Sequence, residues 1–232
     1  MMLQTKGLTL HYGGSQILHG IDFEAKLGEV TCVMGTNGVG KTSLLKALAG
    51  THIRSGGEVI LNGESLGRLR PQDMAARGVA VVPQGRMIFP LLTVRENLET
   101  GFALLPKSAH KIPEEIYDLF PVLADMTRRR GGDLSGGQQQ QLAIARAMIM
   151  QPRVLLLDEP TEGIQPNIIQ QIGRVIEYLK SKGDIAIVLV EQYFDFAYAL
   201  ADQFYVLRRG AVALHGSRAQ IPQEALRAEV SV

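Results

Sequence analysis

Apolar residues run along this chain in two rhythms. The first 34 residues hold short β-rich runs, Leu8–Tyr12, Ile21–Glu24 and Glu29–Met34, parted by Gly13-Gly14 and Leu27-Gly28. Runs of this length bounded by glycine predict strands joined by turns. Residues 41–49 then change to helical spacing. Glu58–Leu61 predicts a strand followed by Asn62-Gly63, a strong short-hairpin signal, and Val79–Val82 predicts another that ends at Pro83. From Arg86 to Met150 strand signals fade, and Pro113–Leu119 and Gln138–Met150 read as helices. Past Pro152, Val154–Leu157 and Ile185–Val190 are wholly apolar, as in strands covered on both faces. Between them Pro166 suits a first helical residue, and Ile168, Ile169, Ile172, Val175, Ile176 and Leu179 recur at helical spacing up to Gly183. Phe194–Ala201 predicts a helix, and Phe204–Leu207 with Ala211–Leu214 a hairpin around Arg208-Arg209-Gly210, before a short, mildly helical tail. The pattern predicts one α/β domain over 1–232, with a core from 1–85 and 151–232 and a helical insertion over 86–150.

A chain of 232 residues can bury a core without disulfides or structural metals. Twenty-four basic against 23 acidic residues argue against a nucleic-acid partner held by bulk charge. A single cysteine, Cys32, excludes an internal disulfide framework and fits a reducing cytosol. The N-terminus lacks the pattern of a signal peptide, and the longest useful apolar run is six residues, against roughly 20 for a membrane span. The expectation is a soluble, cytosolic chain. Twenty-five glycines are more than usual, and their clustering carries the chemistry.

Gly35-Thr36-Asn37-Gly38-Val39-Gly40-Lys41-Thr42-Ser43 follows a predicted strand and opens a predicted helix. It fits G-x-x-x-x-G-K-[ST], in which glycines let backbone N–H groups wrap a polyphosphate at a helix N-terminus. Lys41 is then expected at the β- and γ-phosphates and Thr42 at Mg²⁺. Val154-Leu155-Leu156-Leu157-Asp158-Glu159 is an apolar strand ending in two acids. Beside the phosphate loop, Asp158 is expected to hold Mg²⁺ and Glu159 to polarise the attacking water. Leu134-Ser135-Gly136-Gly137-Gln138 precedes a helix, with Ser135 a good N-cap, and its helix start offers a second anion site. The Gln138–Gln141 run fits an exposed helix start as well as any special role.

Phosphate loop, LSGGQ and LLLDEP in this order resemble the nucleotide-binding subunit of an ABC transporter. The intervals fit: 43 residues from Lys41 to Gln84, 50 from Gln84 to Leu134 and 20 from Gln138 to Asp158. The resemblance implies a RecA-like mixed-sheet core of the phosphate-loop NTPase type, with an antiparallel β subdomain and an inserted α-helical subdomain. It implies ATP and Mg²⁺, and head-to-tail pairing that closes Ser135, Gly136, Gly137 and Gln138 over the partner's ATP. It also implies two transmembrane permease subunits, a periplasmic or extracellular solute-binding protein, and a place on the cytoplasmic face of the membrane. Tyr12 resembles the aromatic that stacks on adenine. Ile17 reads equally as a base contact or an ordinary strand residue. Gln84, in Val82-Pro83-Gln84-Gly85, resembles the glutamine that touches Mg²⁺ and couples the site to the helical lobe. Soluble ABC ATPases of DNA repair or translation fit less well, because 86–133 has no room for a coiled coil and there is one cassette.

Two positions depart from the common pattern. Glu162-Gly163-Ile164-Gln165 replaces S-A-L-D, and Gln192 stands where a histidine usually meets the γ-phosphate. Glutamine donates a hydrogen bond but cannot become cationic. None of His11, His19, His52, His110 and His215 takes that place, and all five read as structural or surface residues. A heterodimer with a histidine-bearing sister cassette is therefore expected. Thr161-Glu162-Gly163 and Val190-Glu191-Gln192 resemble cassettes of the branched-chain amino acid and urea import group. Pro83-Gln84-Gly85-Arg86, Phe89-Pro90-Leu91-Leu92-Thr93-Val94 and Glu162-Gly163-Ile164-Gln165-Pro166-Asn167 favour the urea type within it. Met87–Leu98, apolar and at a lobe junction, reads equally as a dock for a permease helix or as a small core.

Overall fold

A computed structural model describes residues 2–230. Strands β1 (Leu3–Tyr12) and β2 (Ser15–Ala25) form a hairpin across Gly13-Gly14. β1 begins five residues before the apolar run that predicted it, because Leu3 and Thr5 are buried in alternation with Gln4 and Lys6. β3 (Val30–Met34) leads through the phosphate loop into α1 (Lys41–Leu48). β4 (Gly56–Leu61) and β5 (Glu64–Leu66) turn at Asn62-Gly63, with φ of 52° and 83°. Both left-handed residues match a type I′ turn. Helix α2 (Pro71–Ala76) and strand β6 (Val79–Val82) follow. Neither β5 nor α2 was predicted, being too short to show a period.

The next segment is helical: α3 (Val94–Glu99), α4 (Glu114–Leu119), α5 (Pro121–Asp125) and α6 (Gly136–Ile149), with single 3₁₀ turns between. Thr93-x-x-Glu96 forms a reciprocal capping box for α3, a signal present in the sequence but not used to predict that helix. After it come β7 (Val154–Asp158), α7 (Pro166–Ser181), β8 (Ala186–Val190), α8 (Phe194–Leu200), β9 (Gln203–Arg208), β10 (Ala211–Ser217) and α9 (Gln223–Val230).

These strands make two sheets. One is antiparallel, ordered β2-β1-β4-β5; the other is ordered β10-β9-β3-β8-β7-β6 and is parallel except at β10. β3, β7 and β8 are buried at every residue, which is why their sequences are apolar without alternation. Asp158 pairs with Val190, Val190 with Val33, and Leu157 with Val82. The carboxyl ends of β3, β6, β7 and β8 are thus level, and their loops open at one sheet edge, where open α/β folds bind ligands.

Two expectations change. Gln140 and Gln141 are buried, so the glutamine run is not an exposed helix start. The 14-residue helix α6 turns that side against the apolar core, and the Gln140 Nε2 amide has no partner there. Met87–Leu98 divides between its two readings: Val94 and Leu98 are in the core, while Met87, Phe89 and Leu91 are exposed. Asn97 makes the division. Fully buried, it accepts from Phe89 N and donates to the carbonyls of Phe89, Leu92 and Thr93, pinning the loop outward.

Candidate functional site

The phosphate loop is built to close approach. Gly35 has φ of 137°, and a Cβ there would lie 2.3 Å from the Leu207 carbonyl oxygen, so only glycine lets the loop leave β3 against β9. Lys41 opens α1 and is 4 % exposed. Its Nζ donates to the Gly35 and Thr36 carbonyls at 2.9 and 3.0 Å and lies 3.7 Å from Glu159 Oε1. Burial lowers this amine's pKa, and the Glu159 and Asp158 carboxylates partly restore it. A cleft of about 300 Å³ lies over the loop. Asn37, Gly38, Gly40, Lys41, Thr42 and Ser43 line it, with Tyr12, Ile17, Gln84 and Glu159. Gly35, Thr36 and Val39 do not; the first two serve Lys41, and Val39 packs on the core below.

Behind the loop, Thr42 Oγ1 donates to Asp158 Oδ1 at 3.2 Å. Asp158 is 4 % exposed, and burial pushes its pKa to about 6, against the pull of Thr42 and Lys41. Glu159 sits at φ of 46°, a left-handed conformation uncommon for a non-glycine residue, with its N–H on the Val190 carbonyl at 2.9 Å. Such strain collects where a side chain must be aimed. Two amides hold this carboxylate. Gln84 Nε2 donates to Glu159 Oε2 at 3.3 Å and to Glu162 Oε2 at 3.0 Å. Gln192 Nε2 donates to Glu159 Oε1 and to Asn37 Oδ1. The structure therefore brings Lys41, Glu159 and Gln84 together at the cleft, with Gln192 joined to it through Glu159 and Asn37.

Ser135, Gly136, Gly137 and Gln138 lie elsewhere, in a separate cleft of about 340 Å³ shared with Gly163, Gln165 and Asn167. Ser135 caps α6 in a reciprocal box with Gln138. A Cβ on Gly136 would sit 2.8 Å from the Arg86 guanidinium, so glycine lets that arginine lie against the helix start. Gly85, Arg86 and Met87 are all left-handed, at φ of 79°, 69° and 47°. This strained turn joins Gln84 to the helical segment. Met87 O accepts from Arg146 on α6, and Arg86 Nη2 reaches the Glu162 carbonyl at 3.4 Å.

Several contacts escaped the sequence reading. His52, taken as structural or surface, has its ring 4.3 Å from that of Tyr12 and supports one face of the exposed tyrosine. Glu162 reads as a departure from S-A-L-D and as part of the import-group resemblance, with no role at the site, yet it shares the Gln84 amide. Glu191 is buried and accepts four hydrogen bonds. Capping rules and motif spacing carry no signal for any of these.

A mostly parallel sheet with a phosphate loop after one strand and an Asp-Glu pair closing another is the architecture of phosphate-loop nucleotide hydrolases; the helical insertion narrows the class to ATP-binding cassettes. The chain belongs to the ABC transporter family, whose model matches residues 18–162, and it is an ATPase. It is 40 % identical to the high-affinity branched-chain amino acid transport ATP-binding protein BraG of Pseudomonas aeruginosa, over 95 % of this chain and 94 % of that one. It is 36 % identical to a protein of Archaeoglobus fulgidus described as a probable branched-chain amino acid transport ATP-binding protein LivF, over 93 % and 92 %. The fold matches a nucleotide-free ATP-binding cassette from an ABC transporter with a TM-score of 0.85 at 24 % identity, covering 100 % of this chain and 95 % of that one. No helix among the described residues is long and apolar enough to cross a membrane.

Proposed function

We propose that this chain powers an importer of small solutes from the cytoplasmic face of the membrane, by ATP-driven head-to-tail pairing with a second cassette. One observation carries this reading. Lys41, the Thr42–Asp158 pair and the doubly held Glu159 meet at one cleft, whereas the Ser135 helix start opens a different one. Each chain thus holds the reacting half of one site and the closing half of another.

ATP binds with its base against Tyr12 and its phosphates along Gly35–Ser43, where Lys41 neutralises them. The donor set fits Mg²⁺: Thr42 Oγ1 and Asp158 are adjacent hard oxygen ligands, Gln84 keeps its carbonyl oxygen once its amide nitrogen faces two carboxylates, and buried Asp158 favours a nearby cation. Bound there, Mg²⁺ would neutralise charge on the β- and γ-oxygens. Glu159 orients the attacking water and takes its proton, while Gln192 steers Glu159 with one N–H and turns the other from Asn37 toward the γ-phosphate. Closing the dimer performs the mechanical work, and hydrolysis resets it.

The partners follow from the same reading: two permease subunits, a solute-binding protein and a histidine-bearing sister cassette. A fully active homodimer with two equal sites would overturn the heterodimer. The cassette acts as one domain, its helical part at 86–150 moving as the lobe that carries the signature. Met87 and Phe89 line a cleft of about 640 Å³ with Gly101, Arg146 and Met150, suited to a short permease helix. Both relatives named above carry branched-chain amino acid transport in their descriptions, which supports those solutes. Urea is the second reading, favoured by the Pro83–Arg86 and Glu162–Asn167 residues. ATPase activity of the reconstituted complex with leucine-loaded against urea-loaded binding protein decides. Stimulation by leucine alone supports the first, stimulation by urea alone the second, and none by any solute overturns the transport role.

A further inference from the structure

The loops after β7 and β8 meet on a carboxylate that no step above uses. Glu191 is 2 % exposed. Its Oε1 accepts from Thr161 N at 3.1 Å and Thr161 Oγ1 at 2.6 Å. Its Oε2 accepts from the backbone N–H groups of Gln192 at 2.9 Å and Tyr193 at 3.1 Å. One oxygen therefore holds the chain two residues beyond Glu159, and the other holds the peptide that aims Gln192. The Gln192 amide in turn reaches Glu159 and Asn37.

Both oxygens accept from backbone N–H groups, which a carboxylate satisfies and an amide does not. A glutamine here would point its N–H groups at one pair, leaving at least one buried backbone N–H without an acceptor. An aspartate is one methylene too short to span both loops. Glu159 gains a second tie to the same strand end, since its own N–H bonds the Val190 carbonyl.

We propose that Glu191 is a positioning residue for ATP hydrolysis, a strut that fixes Gln192 and Glu159 relative to each other without touching the nucleotide. This rests on the assignment of Glu159 and Gln192 to the reaction. A strut lost from the reacting geometry lowers kcat and spares ATP binding, whereas a merely structural acid lowers stability and affinity together.

The test uses the complete reconstituted complex. Glu191→Gln is expected to lower kcat about 10- to 100-fold, with KM for ATP within about 3-fold of the parent. Combined with Gln192→Ala, it is expected to add little to that variant's loss, because both act on one contact. Thr161→Val keeps the fold and removes one donor; it is expected to lower kcat about 3- to 10-fold at unchanged KM. An unchanged kcat in Thr161→Val and Glu191→Gln, losses that multiply in the double variant, or a KM that rises as kcat falls would overturn the strut. Glu159→Gln measured alongside separates the two failures. If it keeps full turnover, the assignment of the site itself fails; if it is inactive while Glu191→Gln is not, only the strut fails.

Discussion

The two clefts are of similar size, about 300 and 340 Å³, yet they are furnished differently. The phosphate-loop cleft presents Lys41, Thr42, Gln84 and Glu159, so it pairs a cation suited to an anion with a carboxylate suited to orienting water. Among its described lining residues the signature cleft has no ionisable side chain; it offers glycine backbone, the Ser135 hydroxyl, amides and the N-terminus of α6, with the Arg86 guanidinium lying beside Gly136 and tied to the Glu162 carbonyl. A helix start and hydroxyl add fractions to a couple of kcal/mol toward an anion, enough to favour closure but not to capture ATP from solution. On the proposed function, the first cleft binds and the second completes.

Glu159→Gln is the heaviest blow to that contrast. Removing the base while keeping its shape should cut turnover about 10²- to 10⁴-fold and leave ATP binding intact. A closed pair that cannot hydrolyse should accumulate, seen as an ATP-dependent shift to dimer on a sizing column. A monomer with normal turnover would break the assignment.

Ser135→Ala probes the other cleft. It removes the hydroxyl and half of the capping box, costing about 1 kcal/mol of helix stability. In the assembled complex turnover should fall about 10-fold, while the isolated chain should bind ATP unchanged, as equilibrium binding of a fluorescent ATP analogue would show. If the isolated chain's affinity falls as well, the two clefts are not separate halves.

The unequal legibility of these clefts has a physical origin. Lys41, Thr42, Asp158 and Ser135 act through where a strand or helix begins or ends, and that is written in adjacent residues. The level ends of β3, β7 and β8 could be expected from their apolar runs. Glu191 and His52 act through contacts 30 and 40 residues away, Thr161 for one and Tyr12 for the other, which no local spacing encodes. The left-handed Arg86 and Met87 are not glycine, so the strained turn beside Gln84 gave no sign of itself. Gln140 and Gln141 stayed open for the converse reason, since polarity allowed an exposed face and the packing of α6 removed that reading.

Asp158 extends the contrast to stability. Its pKa of about 6 in the fold exceeds the unfolded value, so the folded chain binds more protons across pH 4–6, and stability falls as pH rises through that window. At pH 7 the carboxylate is ionised in both states, and its burial costs on the order of 3 kcal/mol. Asp158→Asn, which still accepts from Thr42, should therefore raise the melting temperature in EDTA at pH 7 and gain little at pH 4, while losing hydrolysis. A variant no more stable at pH 7 than the parent would mean that the buried acid is already compensated. No such gain is expected in the signature cleft, which buries no carboxylate.

The smallest effect belongs to Glu162. Its carboxylate accepts from the Gln84 amide at 3.0 Å, but at the exposed rim, where such contacts are worth up to about 1 kcal/mol. Gln84 keeps its second acceptor on Glu159, so Glu162→Ala should lower turnover only about 2- to 5-fold. The loss should appear as a weaker response to Mg²⁺, because a looser amide nitrogen lets the carbonyl oxygen swing away from the metal ligands. ATP binding in EDTA should not change. A 100-fold loss would place Glu162 among the reacting groups and enlarge the first cleft; no loss at all would mean that Glu159 alone sets the Gln84 amide.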